Sequence, residues 1–213
     1  MKSTLFNMVA VLFTITLIAS AGVGAVNMIT ENAIAEANRQ ATVAAVANVL
    51  PAFEKSEMST MTIDEMPINI YTAVDGSGAV VGYAVETMTM SGFSGKVRMM
   101  VGFDAEGTIL NVNVLEQSET PGLGSKMCDE GNVLLASVQG KNPANLKLKV
   151  KKDGGDIDAL TAATISSRAY ADAVARAYEA FKVASGAQES TDGVSDATAT
   201  HEGYDAQEGG DNE

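Results

Sequence analysis

The chain has 213 residues, with 27 acidic side chains against 14 basic ones, one His, one Cys and no Trp. That length suits one domain of ordinary size with additional material, not two full domains. The single Cys excludes an internal disulfide, a Cys-ligated zinc site, an iron–sulfur cluster and a C-x-x-C-H haem attachment. The lone His201 lies in a polar C-terminal stretch, so a Ser-His-Asp or Cys-His machine has no base within the expected fold. Eight acids and no cation fall in residues 185–213, which leaves −5 of the net −13 for the rest. This balance argues against nucleic acid as a partner, because phosphate neutralisation needs clustered cations. Chemistry must rest on carboxylates, hydroxyls or an imported organic cofactor; no catalytic residue and no metal-ligand set is expected.

Between Lys2 and Glu31 no side chain is charged. At about 1.5 Å per residue, the apolar run 5–29 exceeds the roughly 30 Å hydrocarbon layer. Ala19-Ser20-Ala21 has the form of a signal-peptide cleavage site, but the apolar run continues past it to Ile29. We therefore expect residues 1–30 to be a single transmembrane anchor. Lys2 and the α-amino group precede the span, Glu31 and Glu36 follow it, and Arg39 is the first cation beyond. The positive-inside bias then leaves the N-terminus in the cytoplasm and the body on the outer, periplasmic face of the inner membrane.

Residues 31–50 are Ala-rich and free of Gly and Pro, which predicts a helix ended by Pro51. Strand-like runs 68–74 and 79–90 flank Asp75-Gly76-Ser77-Gly78 and predict a hairpin. A second hairpin is expected from 97–103 and 109–115 around Asp104-Ala105-Glu106-Gly107, where Leu110, Val112 and Val114 alternate with Asn111 and Asn113. Cys128 reads as a small buried apolar residue. Leu146, Leu148 and Val150 alternate with Lys147, Lys149 and Lys151 and predict a further one-sided strand. A helix follows over residues 166–183, with Ala169, Ala173, Val174, Ala177, Tyr178 and Phe181 on one stripe. Residues 31–184 thus form one domain, and 185–213 an acidic tail whose composition predicts disorder. The class is α+β, an antiparallel sheet with flanking helices behind one N-terminal transmembrane helix.

Two segments carry more than structure. Glu119-Thr120-Pro121-Gly122-Leu123-Gly124-Ser125-Lys126 follows the second hairpin; such a Gly-rich loop is either a plain turn or a place where backbone approaches a ligand closely. The segment from Asp156 to Ser167 runs into the last helix. There Thr161, Thr164 or Ser166 could cap the first turn, or the free amides could hold an anion such as a phosphate.

The pattern Asp158-x-x-Thr161-Ala162-Ala163-Thr164 resembles the flavinylation motif D-x-x-[ST]-G-A-[ST] of FMN-binding domains, with Ala162 where Gly is usual. Gly92-Phe93-Ser94-Gly95-Lys96, Val101-Gly102-Phe103-Asp104 and the loop 119–124 are similar to the same family, in the expected order. With its N-terminal anchor, residues 1 to about 183 resemble the G subunit of the Rnf complex, an ion-translocating ferredoxin:NAD oxidoreductase. The C subunit of the sodium-pumping NADH:quinone reductase is similar around Thr164, and a flavin-free anchored binding module is the reading from another class. The resemblance implies FMN esterified through its phosphate to Thr164 by a separate flavin transferase. It implies that Thr161, Asp158, Thr120, Leu123 and Gly124 bind the cofactor alongside Thr164, with Thr161 also bearing on recognition by the transferase. It also implies an electron-carrying role among the other subunits of a membrane complex, not catalysis by this chain alone.

Overall fold

Successive side chains along the strands point to opposite faces of one antiparallel sheet, and buried residues fall on both faces. The computed structural model describes residues 5–186 and 204–205. Five strands follow one another as a meander: β1 (Lys55–Ile63), β2 (Met66–Val74), β3 (Val80–Gly92), β4 (Gly95–Phe103) and β5 (Ile109–Gln117). A two-residue β6 (Tyr204–Asp205) pairs with Lys55 and Ser56 at the β1 edge. The turns are short and locally encoded. Asp75 Oδ1 accepts from the amides of Ser77 and Ala79, and Asp104 Oδ1 does the same for Glu106 and Thr108.

One face of the sheet carries Ile68, Ile70, Val85, Val97, Met99, Val101 and Phe103, covered by α3 (Thr164–Ala184) and the short α2 (Val133–Val138). The small residues Ala169, Ala173, Ala177 and Ala180 let α3 lie close to the strands. At its C-terminal end Phe181 stacks on Phe103 with centroids 4.9 Å apart and meets Tyr83 edge-on at 5.3 Å. Midway along α3, Arg176 Nη1 donates to the Met88 carbonyl at 2.8 Å and Nη2 to Asp172 at 3.1 Å, while Thr89 Oγ1 donates to Asp172 at 2.7 Å. These bonds fix the rotation of α3 on β3, and with it the place where the helix begins.

The other face holds Tyr71, Ala73, Ala84 and Met100 against Ala45, Val46 and Val49 at the end of α1 (Leu5–Val49). Gly102 permits this approach, because a Cβ there would overlap the Val49 carbonyl. The chain divides into two units, residues 1–41 and 42–213. In the first, α1 contains an 18-residue stretch of mean hydropathy 2.2 with none of it buried, long and apolar enough to cross a membrane.

Both expected hairpins and the last helix are present within a few residues of the ends assigned to them. Several features differ, beginning with β1, a strand not expected from the sequence. The run 5–29 and the helix expected over 31–50 are one uninterrupted helix ending at Val49, because nothing between them breaks helical backbone. Residues 146–150 keep their one-sided burial but form no strand. Their backbone bonds stay local, to Pro143 upstream and to residues 153–157 downstream, with an isolated bridge between Val150 and Ile157. α2 is six residues long, too short for periodicity to reveal, and Asn132 caps it by accepting from the amides of Leu134 and Leu135. Cys128 is exposed and free, not buried, because it ends the 3-10 turn Gly124–Cys128 on its outer side. The disorder expected of residues 185–213 concerns a stretch that, apart from 185–186 and β6, lies outside the described residues.

Candidate functional site

A cavity of about 330 Å³ lies where three segments meet. Phe93 comes from the two-residue turn between β3 and β4. Glu119, Thr120, Leu123 and Gly124 come from the loop after β5. Ala162, Ala163, Thr164, Ile165 and Ser166 come from the start of α3. Its volume falls at the lower end of the range for small-molecule sites.

The start of α3 is the chemically distinctive wall. Ala163 occupies the cap position and offers no side-chain hydrogen bond, and neither Thr161, Thr164 nor Ser166 caps the helix. The hydroxyls are otherwise engaged or free. Ser167 Oγ donates to the Ala163 carbonyl at 2.9 Å and accepts from the Leu160 amide, and Ser166 Oγ donates to Glu119 Oε2. The first-turn amides therefore keep their donor capacity and the partial positive charge of the helix end, which suits an anion. Thr164 is the first helical residue, half-buried, with no hydrogen bond to its hydroxyl among the described residues.

Ala162 has φ of 60°, one of three non-glycine residues in the left-handed region among those described. The motif this segment resembles has Gly there, and the conformation gives the reason: a Cβ is strained at this φ. Ala162→Gly is expected to stabilise the domain by about 0.5–1 kcal/mol, read as a raised midpoint in denaturant with an unchanged slope.

On the opposite wall, the Thr120 carbonyl accepts from the amides of Leu123 at 3.1 Å and Ser125 at 3.4 Å, and the Gly122 amide donates to Ser125 Oγ at 2.9 Å. The loop is thus held by its own bonds, with the Thr120 side chain exposed beside the cavity. Gly124 is buried, and a Cβ there would overlap Ser166 Oγ and come within 2.8 Å of Glu119 Oε2. Phe93, Leu123 and Ile165 leave 65%, 39% and 46% of their surface exposed, an apolar rim around a polar floor.

Of the residues singled out in the sequence, the fold brings Thr164, Thr120, Leu123 and Gly124 together at this cavity and leaves Asp158 and Thr161 outside its lining. Thr161 is exposed. Asp158 pairs with Lys151 at 2.7 Å, and its amide donates to Ser137 Oγ at 2.9 Å. The Lys151 hydrogen bond holds its carboxyl below the usual range. Sequence reasoning missed Glu119, Ser166, Phe93 and Ile165 as cavity residues. Glu119 opens the Gly-rich loop, but nothing in a sequence says that a carboxylate there is buried.

A protein-family model described as "FMN-binding domain" matches residues 92–179, a span that includes every residue lining the cavity. By this match, residues 92–179 are an FMN-binding domain. The residues fit the cofactor, with uncapped amides at the start of α3 for a phosphate and the rim of Phe93, Leu123 and Ile165 for a ring system. Among known proteins, the chain is 34% identical over 173 residues to the G subunit of the ion-translocating oxidoreductase complex of Shewanella amazonensis, covering 75% of this chain and 80% of that one. It is 30% identical to the G subunit of the Na(+)-translocating ferredoxin:NAD(+) oxidoreductase complex of Acetobacterium woodii, covering 77% and 85%. The crystal structure of Shewanella oneidensis NqrC aligns at 21% identity and a TM-score of 0.37, over 56% of this chain and 62% of that one. The chain belongs to the family of G subunits of ion-translocating oxidoreductase complexes.

Proposed function

We propose that the chain is the electron-carrying flavoprotein subunit of a membrane-bound Rnf-type complex, which couples electron transfer from ferredoxin to NAD with ion translocation. Its FMN is joined through the phosphate to Thr164 Oγ1. The observation that carries this is the position of Thr164: it opens α3 at the cavity wall, beside amides that no side chain caps. When bound, FMN supplies the redox chemistry that the chain's own side chains lack. The first turn of α3 holds the phosphate charge, Phe93, Leu123 and Ile165 shelter the ring, and the loop 119–124 sets the backbone against it. A Thr hydroxyl does not attack phosphorus unaided, and among the described residues no base is hydrogen-bonded to Thr164 Oγ1, so a separate flavin transferase makes the bond. It breaks a phosphoanhydride of an activated flavin nucleotide, whose remaining phosphate departs as the leaving group while the hydroxyl proton is released. Thr161 and Asp158, outside the cavity, belong to what that enzyme reads before attachment. The helix α1 anchors the chain with its N-terminus inside and the FMN domain on the periplasmic face.

The test is the intact mass of the full chain purified from cells with an active flavin transferase. One covalently bound FMN is expected, and its complete absence refutes the reading. The anchor has its own outcome: the chain stays in the membrane fraction after high-salt washing. A mature N-terminus near Gly22 would show a cleaved signal peptide instead.

A further inference from the structure

We propose that Glu119 is a positioning residue of the flavin site, which locks the three cavity walls together and keeps a negative charge beside the ring. The proposal rests on the FMN reading above. Glu119 is 4% exposed, the most buried acidic side chain among the described residues. Its Oε1 accepts from the Ser94 amide of the β3–β4 turn at 3.0 Å, and its Oε2 accepts from Ser166 Oγ in the first turn of α3. Its own backbone continues into the loop that carries Thr120, Leu123 and Gly124. All three walls thus converge on one carboxylate.

Two glycines make the arrangement unique. A Cβ on Gly92 would come within 2.7 Å of Oε1, and one on Gly124 within 2.8 Å of Oε2. The carboxylate is walled in on both sides, so Ser166 and its turn cannot drift without breaking a bond to a buried group.

Structure alone does not account for the charge. Among the described residues no Lys, Arg or His pairs with Glu119, and its partners are one amide and one hydroxyl. A Gln of the same shape would accept the same amide proton without the cost of burying a carboxylate. What a Gln lacks is the negative charge in a partly desolvated wall, where its field on a neighbouring group is strong. That charge opposes adding an electron to a ring in the cavity and so holds the flavin potential down. The partial positive end of α3, next to Ser166, keeps the carboxylate in place.

The experiment uses the full chain loaded by the flavin transferase, with absorbance spectra, a redox titration and a melting curve for each variant. Glu119→Gln is expected to keep its flavin and to move the midpoint potential to more positive values. Ser166→Ala retains the charge but frees the first turn, so the absorbance bands shift while the potential moves less than in Glu119→Gln. Val174→Ala, a buried position on α3 outside the cavity lining, is expected to lower the melting temperature and leave spectrum and potential as in the wild type. An unmoved potential in Glu119→Gln overturns the role of the charge, and an unmoved spectrum in Ser166→Ala overturns the positioning. A Val174→Ala shift as large as that of Glu119→Gln reduces Glu119 to a stability residue. A wild type without flavin under an active transferase is a separate result, which removes the FMN reading itself.

Discussion

Thr164→Ala is expected to abolish covalent flavin and to leave the domain folded. Thr164 Oγ1 makes no hydrogen bond among the described residues and caps nothing, so its removal costs less than the roughly 1 kcal/mol of a lost helix cap. The competing hydroxyls are already engaged. Ser166 Oγ is bonded to Glu119, and Ser167 Oγ is bonded to the Ala163 carbonyl and the Leu160 amide. Thr164 is thus the one hydroxyl of the first turn both at the cavity and free to react. Thr164→Ser is expected to retain attachment, because the bond needs only the hydroxyl. Thr161→Ala is expected to lower attachment through poorer recognition, with no flavin on Thr161 itself. Mass-spectrometric mapping of the flavin-bearing peptide decides the matter; FMN on Thr161, Ser166 or Ser167 would refute the assignment.

Gly124→Val disrupts the opposite wall. The first added carbon already overlaps Ser166 Oγ and crowds Glu119 Oε2, and the two methyls of Val worsen this. Ser166 must leave Glu119, which separates the loop from α3 and leaves a buried carboxylate with only the Ser94 amide. Overpacking of this kind costs about 1–3 kcal/mol, with the lost bond in addition. A lowered melting temperature is expected together with an altered flavin spectrum and potential. Attachment at Thr164, as proposed above, is expected to persist, because that hydroxyl lies on the other wall. A Gly124→Val chain with wild-type spectrum and potential would return the loop to the status of a simple turn. Gly124→Ala, with one carbon instead of three, should fall between the two.

The sequence by itself determined what depends on near neighbours in the chain. The charge-free run before Glu31 appears as a long apolar helix, and Asp75 and Asp104 close their hairpins through bonds to residues two and four positions on. The order of the motifs, from Gly92 through the loop 119–124 to Thr164, places in one chain the residues that line one cavity. Local pattern misled where pairing partners decide. The Leu–Lys alternation at 146–150 has the right period for a strand, but no sheet edge receives it, so its backbone bonds stay local, to Pro143 and to residues 153–157. Tertiary structure alone decided the rest of the site. Thr161 and Thr164 look equally fit to cap a helix in the sequence, yet the backbone puts Ala163 at the cap, turns through a left-handed Ala162 and leaves Thr161 outside the cavity. Glu119 and Ser166 stand 47 residues apart and carry no shared signal. They meet because Arg176, Asp172 and Phe181 set α3 on β3 and β4 at one rotation, which brings its first turn against the loop after β5. Packing at one end of a helix thereby selects which hydroxyl faces the cavity at the other, and no local preference encodes that.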